Sequence, residues 1–162
     1  MVCLDMDGVI TNYGNHTTEL RINHAFIRTL VENGIKSVSI CTNQGGLVFS
    51  TSNPEKFPTP QRFIERSSAA VDALREAGIN VVSVHVAFFH PKAKLSELMN
   101  VHQQLSEISP QGFILWESEE YRKPNPGMLK ASGATTFYGD SDEDGNAADA
   151  ACCKFVKVER FQ

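Results

Sequence analysis

From Val2 to Val158 short apolar runs alternate with stretches whose apolar residues recur at helical spacing, and few folds accept that alternation. The apolar runs fall at Val2 to Leu4, Ser37 to Cys41, Ile79 to Phe89, Phe113 to Trp116, Thr135 to Tyr138 and Lys154 to Val158. Between them, Leu20 to Asn33 carries Ile22, Phe26, Ile27, Leu30 and Val31 on one helical face, and Gln61 to Ala77 carries Phe63, Ile64, Val71 and Leu74. Gly34 and Gly78 follow these two stretches as helix stops. Lys92 to Ile108, with Leu95, Leu98, Met99 and Leu105, reads as a third helix, and Pro126 to Ala131 and Gly145 to Ala151 as two shorter ones. Strands that alternate with helices pair in parallel and must be covered on both faces, so the expected fold is a three-layer, Rossmann-like α/β sheet.

At 162 residues, 41% of them hydrophobic, the chain suits a single domain spanning 1–162, with residues 92–116 read as a small insertion. Leu47 to Pro60, rich in Ser, Thr, Asn and Pro, reads as a long loop and a candidate substrate-facing flap. No apolar run approaches the length of a bilayer span and the N-terminus lacks the layout of a secretion signal, so a soluble, cytoplasmic protein without a membrane partner is expected. In that compartment Cys3, Cys41, Cys152 and Cys153 read as reduced thiols, and the glycosylation pattern Asn15-His16-Thr17 carries no meaning. The formal charge of −4 argues against bulk attraction to duplex nucleic acid and leaves room for a local basic groove.

Parallel sheets bind ligands beyond the carboxyl ends of their strands, and the polar motifs of this chain fall there. Asp5 and Asp7 bracket Met6 at the end of the first strand, and Gly8 lets the backbone turn sharply. Thr42-Asn43 follows the second strand, Gly139-Asp140-x-x-x-Asp144 follows the strand at Thr135 to Tyr138, and Lys123 lies on a loop within reach of the same edge. Two carboxylates as close as Asp5 and Asp7 call for a cation, although an Asp-x-Asp-Gly turn that merely caps a strand is the plain alternative. Taken singly, Thr42 reads as a loop hydroxyl or helix cap and Lys123 as a surface cation. Asp140-x-Asp142-x-Asp144-Gly145 copies the start of an EF-hand calcium loop, but Ala151 stands where that loop needs a bidentate Glu. Arg62, Arg66 and Arg75 read as the solvated face of their helix, and Asn12, Tyr13 and His16 as a surface turn or the border of the pocket. His85 and His90 have no cysteine nearby to complete a zinc site and read as core or surface histidines.

In this order, Asp5-x-Asp7, Thr42-Asn43, Lys123-Pro124 and Gly139-Asp140-x-x-x-Asp144 resemble the haloacid dehalogenase-like (HAD) phosphohydrolases over nearly the whole chain. The resemblance implies Mg²⁺-dependent hydrolysis of a phosphomonoester through an aspartyl-phosphate. Asp5 would be the nucleophile, and Asp7 the acid and base, with its main-chain carbonyl on the metal. Mg²⁺ would be held by Asp5, Asp7 and Asp140, with Asp144 behind them or as a further anchor. Thr42, the Asn43 backbone N–H and the Gly8 turn would bind the phosphate, and Lys123 would balance the carboxylates. Such positive donors are needed because an anionic ester resists an anionic nucleophile.

Thr42-Asn43-Gln44 with Tyr121-Arg122-Lys123-Pro124-x-Pro126-Gly127-Met128 is similar to the branch holding polynucleotide 3'-phosphatases and the histidinol-phosphate and heptose-bisphosphate phosphatases. The cysteine and histidine zinc loop usual in the latter two is missing, and no nucleotide-binding phosphate loop accompanies the phosphatase motifs. Between Asp7 and Thr42 there is space for a helix and a strand but for no cap domain, so little or no cap is expected. That openness suits a phosphate at the end of a large substrate, a nucleic-acid 3' end, touched by Arg122 and the loop Gly45 to Pro60. A small sugar or amino-alcohol phosphate, or a catalytically idle binding module of the same fold, remain the alternatives. A phosphoacceptor signalling domain would place its Asp, Thr and Lys in a different chain order.

Overall fold

The computed structural model describes residues 1–14 and 18–162, so the glycosylation pattern Asn15-His16-Thr17 and the placing of His16 at the pocket border lie outside the described residues. Six strands, β1 (Val2–Leu4), β2 (Ser37–Asn43), β3 (Asn80–Ala87), β4 (Phe113–Trp116), β5 (Thr136–Gly139) and β6 (Lys154–Lys157), form one sheet in the order β4-β3-β2-β1-β5-β6. Every pairing is parallel. The helices are α1 (His24–Glu32), α2 (Pro60–Glu76), α3 (Leu95–Ile108), α4 (Gly127–Ser132) and α5 (Asp142–Ala150). The expected Rossmann-like α/β architecture is therefore present.

The chain steps outward from β1 through β2 and β3 to β4, then returns to the other side of β1 for β5 and β6. Alternation along the strands sorts side chains onto two faces. Leu4, Val38, Ile40, Val84 and Val86 pack with Ile27 and Leu30 of α1, Phe63, Val71 and Leu74 of α2, and Val101 and Leu105 of α3. Cys3, Cys41, Ala87 and Phe137 pack on the opposite face with Met128 and Leu129 of α4 and Ala147 and Ala148 of α5. Crossovers of one hand, run in one direction, must put their helices on one side, and reversing the direction moves them to the other. The reversal lies between β1 and β5, where the strand ends diverge and open a crevice.

Four expectations are revised. Residues 92–116 are no insertion but a regular helix and strand: α3 covers the sheet beside α2, and β4 extends it from β3. Val31, Leu95 and Met99 are exposed although they fall at helical spacing, and α3 turns Val101 inward beside the expected Leu105. The last helix starts at Asp142, three residues earlier than expected, because Ser141 caps it and accepts a hydrogen bond from the Asp144 N–H at 3.2 Å. Thr42 and Asn43, expected to follow the second strand, are the last two residues of β2, and the polar stretch after them opens with a 3₁₀ turn at Gly45–Phe49. All four cysteines are free thiols. Among the described residues no helix is long and apolar enough to cross a membrane.

Candidate functional site

The carboxyl ends of β1, β2 and β5 converge at the sheet reversal on a cavity of about 230 Å³ lined by Asp5, Asp7, Thr42, Lys123, Asp140 and Arg160 among others. Seven of the candidate residues read from the sequence, Asp5, Asp7, Thr42, Asn43, Lys123, Asp140 and Asp144, thus meet in one place. At its base lies Lys123, only 3% exposed, whose ammonium donates to Asp5 Oδ1 at 3.0 Å, Asp144 Oδ1 at 2.7 Å and the Cys41 carbonyl at 3.0 Å. Those three bonds use all of its protons. Lys123 comes from a loop, and its backbone is fixed by the side chain of Asn43 at the end of β2 through two hydrogen bonds of 2.9 Å.

Asp5, Asp140 and Asp144 each place an oxygen within 4.8 Å of the others. Their carboxylates are not equivalent. Asp144 is spent: Oδ1 takes Lys123, while Oδ2 accepts the N–H groups of Asp140 at 3.1 Å and Ser141 at 3.3 Å, closing the turn into α5. In Asp5, Oδ1 takes Lys123 and the Met6 N–H, and in Asp140, Oδ2 takes Arg160 Nε at 2.7 Å. Asp5 Oδ2 and Asp140 Oδ1 have no hydrogen-bond partner among the described residues, and both residues line the cavity. Two carboxylate oxygens left over in such a place are hard anionic donors, and with Asp144 beside them the cluster could hold a metal ion.

Asp7 faces a different set. Its Oδ1 accepts from Thr11 Oγ1 at 3.0 Å and Arg66 Nη2 at 3.5 Å, and its Oδ2 accepts from Gln44 Nε2 at 3.0 Å. The same Gln44 amide also donates to Thr42 Oγ1 at 2.9 Å, tying the ends of β1 and β2 together. Gly8 adopts φ +85°, and a β-carbon there would run into the Asp140 carboxylate, so the turn after Asp7 requires glycine on both counts.

No family model, curated protein or solved structure matches the chain.

The electrostatics of the cluster follow from burial and one cation. Burial pushes the Asp5 carboxyl well above the ordinary range, and Lys123 offsets this only in part while Asp144 adds to it. Burial would also raise Asp144, but the Lys123 charge and hydrogen bond carry it below its usual value. For Lys123 burial opposes the charge, and Asp5 with Asp144 more than restore it, leaving the ammonium harder to deprotonate than a free lysine. Two carboxylates thus share one cation, and Asp5 lacks full compensation.

The remaining candidates lie elsewhere. Arg122 donates to the Phe89 carbonyl at 3.0 Å and packs against Gly45 and His90, away from the carboxylate cluster. His85 is buried between Ser83 and Trp116, its Nδ1 accepting the indole N–H at 3.0 Å, and burial lowers its pKa; it is a core histidine. The acidic run Asp142 to Asp144 is the first turn of α5, where a helix N-terminus favours negative charge, which removes the calcium-loop reading. Three residues of the site, Gln44, Arg66 and Arg160, have no role in it by sequence reading. Arg66, expected on the solvated face of α2, reaches Asp7 and the Asn12 carbonyl, while Arg62 and Arg75 are exposed as expected. Arg160 lies past the last strand, where Phe161 donates its N–H to the Gly8 carbonyl at 2.9 Å and brings the arginine beside Asp140 and over the Tyr13 ring. The helical position of Arg66, one turn after Phe63, carries no signal of this contact.

Proposed function

We propose that the protein is a Mg²⁺-dependent phosphomonoester hydrolase of the HAD-like type that works through an aspartyl-phosphate on Asp5. The observation that supports this reading most is the inequality of the carboxylates: Asp5 keeps Oδ2 open at the sheet reversal, while Lys123 and the Met6 N–H hold Oδ1. An oxygen fixed in this way is set to attack phosphorus without first reorganising. The P–O bond to the alcohol breaks as the Asp5–phosphorus bond forms, and Asp7 gives the departing oxygen its proton. Asp7 then takes a proton from water as water attacks the phosphorus, the Asp5–phosphorus bond breaks, and inorganic phosphate leaves. Asp5, Asp140 and the Asp7 carbonyl would hold the cation, which supplies charge neutralisation to the phosphoryl group. Lys123 and the hydroxyl of Thr42 stabilise the same charge from the protein side.

The substrate is proposed to be the terminal 3'-phosphate of a nucleic-acid strand. Residues 92–116 belong to the sheet edge and none of them lines the cavity, which supports entry by the end of a long molecule.

Release of phosphate from an aryl phosphate with Mg²⁺, set beside Asp5→Asn and Asp7→Asn, tests the reaction. Wild-type turnover abolished in Asp5→Asn is expected, and absence of turnover in the wild type would refute the hydrolase. A panel of 3'-phosphorylated oligonucleotides against sugar and amino-alcohol phosphates tests the substrate; faster turnover of a small metabolite would rule out the nucleic-acid version.

A further inference from the structure

A second cavity, of about 220 Å³, adjoins the first, and Asp7 lines both. Its other walls include Gln44, Lys56, Pro58, Phe63 and Arg66. Arg66 is held by Nη2 alone, to Asp7 at 3.5 Å and the Asn12 carbonyl at 3.3 Å, so its Nε and Nη1 donors make no hydrogen bond among the described residues. The Lys56 ammonium rests over the Phe57 ring at 5.6 Å, with no carboxylate within salt-bridge distance among the described residues. Two cations therefore face one carboxylate, and the excess is positive. This cavity lies on the leaving-group side of the reaction, because the group that Asp7 protonates must stand next to Asp7.

We infer that the cavity between Lys56 and Arg66 binds a second phosphate carried by the leaving alcohol, so that the preferred substrates are phosphomonoesters bearing another phosphate or phosphodiester. The inference rests on the hydrolase reading above. A planar guanidinium with two open donors suits phosphate oxygens, and a lysine beside it adds charge without fixed geometry. Two sources present this chemistry: a nucleoside or sugar bisphosphate, and the last phosphodiester of a strand that ends in a 3'-phosphate.

The experiment compares kcat/KM for an aryl phosphate, a nucleoside 3'-monophosphate, a nucleoside 3',5'-bisphosphate, a dinucleotide 3'-phosphate and the same dinucleotide with an uncharged methylphosphonate link, in the wild type and in Lys56→Glu. Substrates with a second charge are expected to exceed their uncharged counterparts by about tenfold, the size of one good charge-assisted contact. Lys56→Glu is expected to erase that advantage and to leave aryl phosphate turnover unchanged, since Lys56 touches none of the reacting groups. A bisphosphate that gains as much as the dinucleotide points to the small-molecule source, and a gain by the dinucleotide alone to the strand. Equal rates for charged and uncharged links, or a Lys56→Glu loss shared by every substrate, would overturn the inference while the hydrolase stands. No turnover of aryl phosphate would remove both.

Discussion

The side-chain amide of Asn43 and the backbone of Lys123 exchange two hydrogen bonds of 2.9 Å across 80 residues of sequence. Asn43 Nδ2 donates to the Lys123 carbonyl, and the Lys123 N–H donates to Asn43 Oδ1. The last residue of β2 thereby fixes the loop that delivers the buried ammonium. Asn43→Ala is expected to lower stability by about 1–3 kcal/mol, the cost of leaving partly buried backbone groups unpaired, and to reduce phosphatase turnover with it. Urea unfolding beside steady-state kinetics checks both; Asn43→Asp, which keeps only the acceptor, should fall between.

Lys123→Met strands Asp5 and Asp144 in the interior without their shared cation. A loss of about 3–5 kcal/mol at neutral pH is expected, as for other buried pairs broken on one side. Adding Asp5→Asn to Lys123→Met should recover part of it, a non-additivity that a double-mutant cycle by urea unfolding measures directly.

Asp5→Asn alone is expected to stabilise the metal-free protein while abolishing turnover, by about 0.5–2 kcal/mol, in the manner of strained active-site groups. The sign follows from the raised pKa of Asp5 in the fold. Its carboxyl favours folding below the unfolded value of about 3.9 and disfavours it once pH passes the higher folded value. The advantage of Asp5→Asn should therefore grow as pH rises from the unfolded value toward the raised folded one and vanish as pH falls below about 4. Asp144 runs the other way, adding stability above the ordinary carboxylate value and losing it as pH drops through its depressed one. Urea midpoints from acid to neutral pH, with chelator present, separate the two.

Mg²⁺ should raise the melting temperature of the wild type, because a ligand of the folded state alone stabilises it by about 2.7 kcal/mol at a hundredfold excess over Kd. Asp140→Ala is expected to lose the shift. Gly8→Ala is expected to lose it as well, since its methyl group displaces the Asp140 carboxylate and the backbone sits at φ +85°. Its own cost in stability should be about 1–3 kcal/mol, which calorimetry without metal reports.

What the amino-acid order determined was the periodicity and, through it, the layering. Apolar runs alternating with helical stretches admit a parallel sheet covered on both faces, and polar residues placed just after those runs must fall on its carboxyl edge. Asp5, Asp7, Thr42, Asp140 and Asp144 were legible for that reason, each being local to the end of its own strand. Lys123 was legible only through its motif. Tertiary structure alone decided the rest. It turned residues 92–116 into the outer sheet unit, brought Arg66 from the face of α2 to Asp7, and carried Arg160 back from the chain end to Asp140. It also gave Asn43 a partner in Lys123 and divided the carboxylate oxygens between those already bonded and those left open. Local spacing reports which side of an element is apolar, whereas the partner of a polar side chain depends on which distant element packs opposite, and that is settled by burying the whole sheet at once.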